Sequence, residues 1–231
     1  MQDAEHQETH AETTTPPAWL KALAGKFIVF EGPDGSGKTT QLRRLTALCE
    51  TYKLPFRHVR EPGGTPVGEA IRDVLLHRRE TDMTARTEML LYMASRSELV
   101  TREIRPALER NELVLADRFV SSTLAYQGAA GGLPREDILS VARVATSGAR
   151  PDLIVIFDVN QDAAAQRLGL LLDRMEAKGA AFHAKVRQGY LDQAEAVPEL
   201  HLVIDGSHPE DHVWRALTEG LADRLAPERR A

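Results

Sequence analysis

The sequence is expected to fold as an α/β protein with a parallel five-stranded sheet and helices on both faces, on three observations. Short apolar runs alternate with longer segments of helical period through residues 23–231, the order that yields a parallel sheet covered by helices. Three of the five runs are almost continuously apolar, as strands buried on both faces are. Each run ends at a polar or glycine-containing stretch, and in open α/β sheets ligands bind beyond the carboxyl ends of the strands.

In chain order, Met1 to Pro17 is rich in Gln, Glu, His and Thr and ends in two prolines, with too little apolar surface to offset the entropy of ordering. Residues 1–22 are therefore expected to be a flexible tail, with His6 and His10 solvated rather than metal-bound. One domain is expected over 23–231, with no internal repeat. Its expected strands are 27–30, 56–59, 113–116, 153–157 and 202–204. Helices are expected near 38–52, 67–77, 84–110, 134–147, 161–195 with a break, and 209–225. Their apolar residues recur three and four apart, as in Leu42, Leu45 and Leu48 or Ile138, Val141 and Ala145.

At 231 residues and 42% apolar content, the chain has the material for a full core. A formal charge of −5 argues against binding to a nucleic-acid backbone, which concentrates Lys and Arg on one face, but leaves room for a small anion held by a few arginines. No apolar run approaches the roughly 20 residues that cross a bilayer, and no signal-peptide pattern opens the sequence. No membrane partner and a cytoplasmic location are expected. The single cysteine, Cys49, lies in a helical pattern and reads as a small buried apolar residue rather than a nucleophile.

Gly32-Pro33-Asp34-Gly35-Ser36-Gly37-Lys38-Thr39 fits G-x-x-x-x-G-K-[ST], between an apolar strand and a helical pattern. Glycines at those places let backbone N–H groups turn inward around phosphate oxygens. Lys38 then reaches the β- and γ-phosphates and Thr39 offers a hydroxyl to Mg2+. The expected ATP-binding set is Gly32, Pro33, Asp34, Gly35, Ser36, Gly37, Lys38, Thr39 and Thr40. Asp117 ends the third strand, where a P-loop protein places a carboxylate near the metal, so Thr39 and Asp117 are the expected Mg2+ ligands. Arg118 beside it, and Arg60 at the head of Arg60-Glu61-Pro62-Gly63-Gly64-Thr65, bring guanidinium groups to the same crevice. Tyr92 and Arg96 share a helix face, where a ring can stack on a base and a guanidinium can bond a base oxygen. The plainer reading of that pair is a core-covering Tyr and a solvated Arg.

In order and spacing, GPDGSGKTT, REPGGT, LLYMASRSE, ADRFVSSTLAYQG and ARPDLIVIFDV resemble the bacterial thymidylate kinases, a P-loop nucleoside monophosphate kinase family, from about Lys26 to the C-terminal helix. The resemblance implies transfer of a phosphoryl group from ATP-Mg2+ to dTMP, a homodimer, and a short mobile lid at about 165–178. It implies that Asp34 contacts the sugar 3′-hydroxyl and that Arg60 and Arg118 grip the dTMP phosphate. Tyr92 stands where the family stacks an aromatic, usually Phe, on thymine, and Arg96 where an Arg reaches the base O4. Thr123 and Gln127 match positions at the base edge, and Tyr126 a ring that crowds the sugar 2′ position.

The expected catalytic residues are Lys38, Arg118, Arg167 and Arg174. In the family, a P-loop without an arginine goes with arginines on the lid. This loop has none, and the lid offers only Arg167 and Arg174, with Gly169 where a catalytic arginine is looked for and Leu168 and Leu170–Leu172 around it. Two other readings stay open at this point: a kinase for another nucleotide or deoxynucleoside, and a nucleotide-binding regulator with weak catalysis.

Overall fold

Five strands build the sheet of the computed structural model: β1 (Phe27–Glu31), β2 (Phe56–Arg60), β3 (Leu113–Asp117), β4 (Leu153–Asp158) and β5 (His201–Asp205). They pair in the order β2-β3-β1-β4-β5, all parallel. The structure describes residues 15–77, 83–160, 163, 164, 167, 174, 175 and 178–225. The three inner strands are buried along almost their whole length, whereas the edge strands β2 and β5 carry exposed residues. That is why the second run admits Arg57 and His58 without losing its place in the sheet.

Helices α1 (Ala18–Lys21), α2 (Lys38–Thr51), α3 (Pro66–Arg72), α4 (Ala85–Leu99), α5 (Arg105–Glu109), α6 (Val120–Thr123), α7 (Arg135–Thr146), α8 (Ala180–Ala196) and α9 (Glu210–Leu225) surround it. Local chemistry sets their ends. The Thr65 hydroxyl accepts from Gly68 N with Pro66 in the first turn, and Thr84 accepts from Thr87 N. The expected helix over 84–110 is interrupted by a π-helical turn at Val100–Ile104, just before Pro106, whose missing N–H breaks the regular ladder. Similar turns occupy Asp73–His77 and Leu124–Ala130.

Successive strand residues point to opposite faces and so feed two cores. Val29, Val114, Ala116 and Ile156 pack with Leu99, Ile104 and Tyr190 on one side. Ile28, Phe30, Leu115 and Phe157 pack with Leu42, Leu45 and Leu217 on the other.

Two expectations need correction. Every strand runs one residue further at its carboxyl end than its apolar run, to Glu31, Arg60, Asp117, Asp158 and Asp205. Ladder bonding does not stop at a charge, and the register sets Arg60 beside Asp117 and Asp158 beside Asp205. The sheet itself therefore brings Arg60 and Asp117 together at the crevice. The tail boundary expected at residue 22 also falls too late, because α1 is helical and Leu20 is fully buried in the second core. In the lid, Leu168, Gly169 and Leu170–Leu172 lie outside the described residues.

Leu20→Ala is expected to lower unfolding stability by about 2–5 kcal/mol in urea titrations, as for other fully buried leucines. A midpoint matching wild type would return Leu20 to the tail.

Candidate active site

Between β1 and α2 the chain makes the turn that the glycines require. Gly32 and Gly35 have φ of +134° and +76°. A Cβ on Gly32 would lie 2.4 Å from the Phe157 carbonyl oxygen and one on Gly35 2.6 Å from that of Ala164, so neither position admits a side chain. No side chain caps α2 at Gly37, which leaves first-turn N–H groups for an anion. The Ser36 hydroxyl is buried without a partner in the same loop. Lys38 is buried, 3.6 Å from Asp34. Burial and the Arg118 charge push its ammonium pKa down, against the pull of Asp34, Asp117 and Glu31.

Arg118 follows β3 in a left-handed conformation, φ +76°. It donates to Gly32 O (3.2 Å), Ser122 Oγ (3.1 Å), Tyr190 Oη (3.1 Å) and Asp34 Oδ1 (2.5 Å), and it stacks over Tyr126 at 5.3 Å. Tyr126 Oη donates to the other Asp34 oxygen at 3.0 Å. Burial is the largest influence on Asp34 and opposes its charge, yet Arg118, Lys38 and the Tyr126 bond together hold its carboxyl well below the ordinary range. Behind this group lies Glu31, fully buried, accepting from Phe119 N (2.8 Å), Ser122 N (3.1 Å), Ser122 Oγ (2.6 Å) and Tyr190 Oη (3.0 Å). Burial pushes its pKa up, and Arg118 and these bonds pull it back.

A cavity of about 240 Å³ opens between these groups. Lys38, Thr39, Asp117, Arg60, Tyr92, Thr123 and Gln127 all line it. Arg60 is bound by the Glu69 carboxylate, with 2.9 Å to each oxygen. The Thr39 hydroxyl and Asp117 carboxylate are hard oxygen donors of the kind Mg2+ takes. Among the described residues no cluster of three or more His, Cys, Asp or Glu surrounds them, so such an ion would complete its shell with phosphate oxygens and water.

Arg96 departs from both readings of the sequence. It is 1% exposed and does not line the cavity. Its Nε donates to Glu61 (2.8 Å), Nη2 to Glu61 (2.5 Å) and Phe119 O (3.0 Å), and Nη1 to Thr123 Oγ1 (3.2 Å) and Met93 Sδ (3.0 Å). Those contacts occupy its five N–H donors. The two lid arginines are far from equivalent. Arg167 Nη1 donates to Gly206 O (2.8 Å) and Gly35 O (3.3 Å), against the phosphate loop. Arg174 donates to Leu75 O (2.7 Å) and to Glu88 (2.7 Å), on the acceptor side. The sequence reading missed Glu31, Glu61, Glu88, Ser122 and Tyr190. A Glu closing an apolar strand was a legible signal for the first, but nothing local separates Glu88 or Tyr190 from any other helical residue.

A family model described as thymidylate kinase matches residues 30–217. The chain belongs to the thymidylate kinase family. A thymidylate kinase of Symbiobacterium thermophilum is 44% identical over 204 residues, covering 88% of this chain and 95% of the relative. One of Deinococcus radiodurans is 43% identical, covering 84% and 97%. The crystal structure of thymidylate kinase from Ehrlichia chaffeensis superposes with a TM-score of 0.70 at 30% identity, covering 86% of this chain and 98% of that one. The chain is thus a nucleoside monophosphate kinase that phosphorylates dTMP from ATP, and the relatives do not favour another substrate or a regulator.

Because the Asp34 pKa is depressed by folding, its contribution to stability is complete above about pH 4 and is lost as pH falls towards the folded value. The stability difference between wild type and Asp34→Asn, measured by urea unfolding from pH 8 to pH 3, is expected to be flat at first and to shrink below about pH 4. A difference independent of pH over that range would show that the carboxyl is not held down.

Proposed function

We propose that dTMP occupies the cavity with its phosphate at Arg60 and Arg118 and its base among Tyr92, Thr123 and Gln127, facing ATP-Mg2+ held on the loop from Gly32 to Thr40. The observation that carries this reading is the convergence of Lys38 and Arg118 on one carboxylate, Asp34, where the two nucleotide sites meet. Two cations held there by a single acid are poised for the anionic oxygens of two phosphates. The loop N–H groups and the orphan Ser36 hydroxyl supply donors for the β- and γ-phosphates, while Pro33 gives shape and no donor.

Thr39 and Asp117 would hold Mg2+, which when bound neutralises charge on the transferring group. Lys38 stands against the γ-phosphate, and Arg118 orients the acceptor oxygen for in-line attack, with no covalent intermediate. The Asp34 carboxylate accepts from the sugar 3′-hydroxyl, and the Tyr126 ring, tied to it, leaves no room for a 2′-hydroxyl. Arg96 serves as a positioning residue that holds Glu61 and Thr123 rather than as a base contact. Arg167, resting on the loop, is the lid arginine assigned to the transition state, and Arg174 anchors the acceptor side.

A homodimer is part of this reading, supported by exposed Leu90 and Val144 on α4 and α7. So are a cytoplasmic location and the lack of a nucleic-acid partner, supported by the reduced, buried Cys49, the charge of −5, and the absence of a membrane-length apolar helix among the described residues.

Coupled ADP release with dTMP, dUMP, TMP and dCMP tests the reading. dTMP should be preferred, and turnover of TMP equal to that of dTMP would remove the sugar role of Tyr126 and Asp34. Lys38→Ala should abolish detectable transfer. Arg167→Ala should lower kcat at least about tenfold with the KM for dTMP little changed, and Arg174→Ala should affect kcat less. A larger kcat loss in Arg174→Ala than in Arg167→Ala would reverse the assignment.

A further inference from the structure

Glu88 lies in the first turn of α4, on its buried face, 1% exposed. Three donors from two parts of the chain meet its carboxylate. Gln127 Nε2 donates to Oε2 at 3.0 Å, while Arg174 Nη1 and Lys178 Nζ donate to Oε1 at 2.7 Å and 2.8 Å. Gln127 is itself 1% exposed and forms part of the cavity wall.

We propose that Glu88 fixes which way Gln127 presents its amide, and thereby selects a pyrimidine that carries a proton on N3. This rests on the placement of Gln127 at the base edge. An ionised carboxylate only accepts hydrogen bonds, so it takes the NH₂ end of the amide. Turning Gln127 over would set its carbonyl against a carboxylate oxygen, two acceptors face to face in a buried place. Burial works against the Glu88 charge, but the bonds from Lys178, Gln127 and Arg174 outweigh it and keep the pKa below the usual carboxylate value.

With one Nε2–H bonded to Glu88, the amide oxygen is fixed on the opposite side of the group and is the acceptor offered to the ligand. Thymine and uracil offer it an N3–H. Cytosine offers a lone pair at N3, so two acceptors would oppose one another. Sites built around a required hydrogen bond reject an analogue that cannot make it by up to about 10⁴–10⁵-fold. Glu88 acts through Gln127 and is a positioning residue, with Arg174 and Lys178 holding it in its acceptor-only state.

The test compares kcat/KM of the full chain for dTMP, dUMP and dCMP in wild type and Glu88→Gln. The new amide can donate or accept, so Gln127 is free to turn either way. The preference for dTMP over dCMP should fall at least about tenfold, while that for dTMP over dUMP stays within about twofold, because both keep N3–H. A merely structural loss would lower all three alike, and an unchanged dTMP-to-dCMP preference overturns the proposal. If Glu88→Gln does not fold, Glu88→Met with Arg174→Met removes the acid together with one of its cations rather than orphaning both. The same fall is expected there, and an unchanged preference again overturns it. Wild type with N3-methyl-dTMP separates this proposal from the reading beneath it. Loss of at least about a hundredfold in kcat/KM supports Gln127 at the base edge, and turnover equal to dTMP removes that placement whatever Glu88→Gln shows.

Discussion

The acceptor side of the active site hangs on one buried acid, the Glu31 carboxyl group at the end of the central strand. A carboxylate out of water costs several kcal/mol unless donors satisfy it. Here the donors are the backbone at Phe119 and Ser122 and the hydroxyls of Ser122 and Tyr190. Satisfying Glu31 thus fixes the turn after β3, and the same two hydroxyls receive Arg118. The guanidinium then has one place to go, between Gly32 O and Asp34, although its backbone sits in a left-handed conformation that a non-glycine residue seldom adopts. Phosphate loop and acceptor site are joined through this chain of contacts from the interior outward.

The same device recurs around the cavity. Glu61 is buried against Arg96, and Glu88 against Arg174 and Lys178. Breaking such a buried pair from one side leaves an uncompensated charge, typically about 3–5 kcal/mol. The return is geometric. A transferring phosphoryl group offers little covalent chemistry to assist, so catalysis depends on donors already in place before the reaction begins. Acids behind the arginines supply that preorganisation, and they divide the arginines into those facing ligand and those, like Arg96, that hold the frame.

The donor side is built differently. There the backbone does the binding: a loop whose glycines at 32 and 35 leave no room for a Cβ, which would fall 2.4–2.6 Å from backbone oxygens, feeding an uncapped helix end. The backbone conformation of such a loop is set largely by residues next to one another in the chain, which is why one stretch of sequence suffices to recognise it. The acceptor side draws on β3, α4, the turn at Leu124–Ala130 and α8, whose side chains converge only when the sheet is assembled.

That contrast separates what the sequence determined from what needed the fold. Five strands, their parallel order and the phosphate loop were legible, because apolar runs, helical period and glycine spacing act over a few residues at a time. So were Asp117, Arg118 and Arg60, as polar residues closing strands that must end at the crevice. The last strand residue was not, because a charge ends an apolar run without ending the ladder. Leu20 was read as tail because four helical residues give too short a period to register, and only docking on the second core buries it. Arg96 looked solvated beside Tyr92, and its true partner, Glu61, lies 35 positions away. The sequence also offered Arg167 and Arg174 as equals. Only the packing, which sets one on the loop and the other on Glu88, tells them apart, since pairing of buried charges is decided by distance in space and not along the chain.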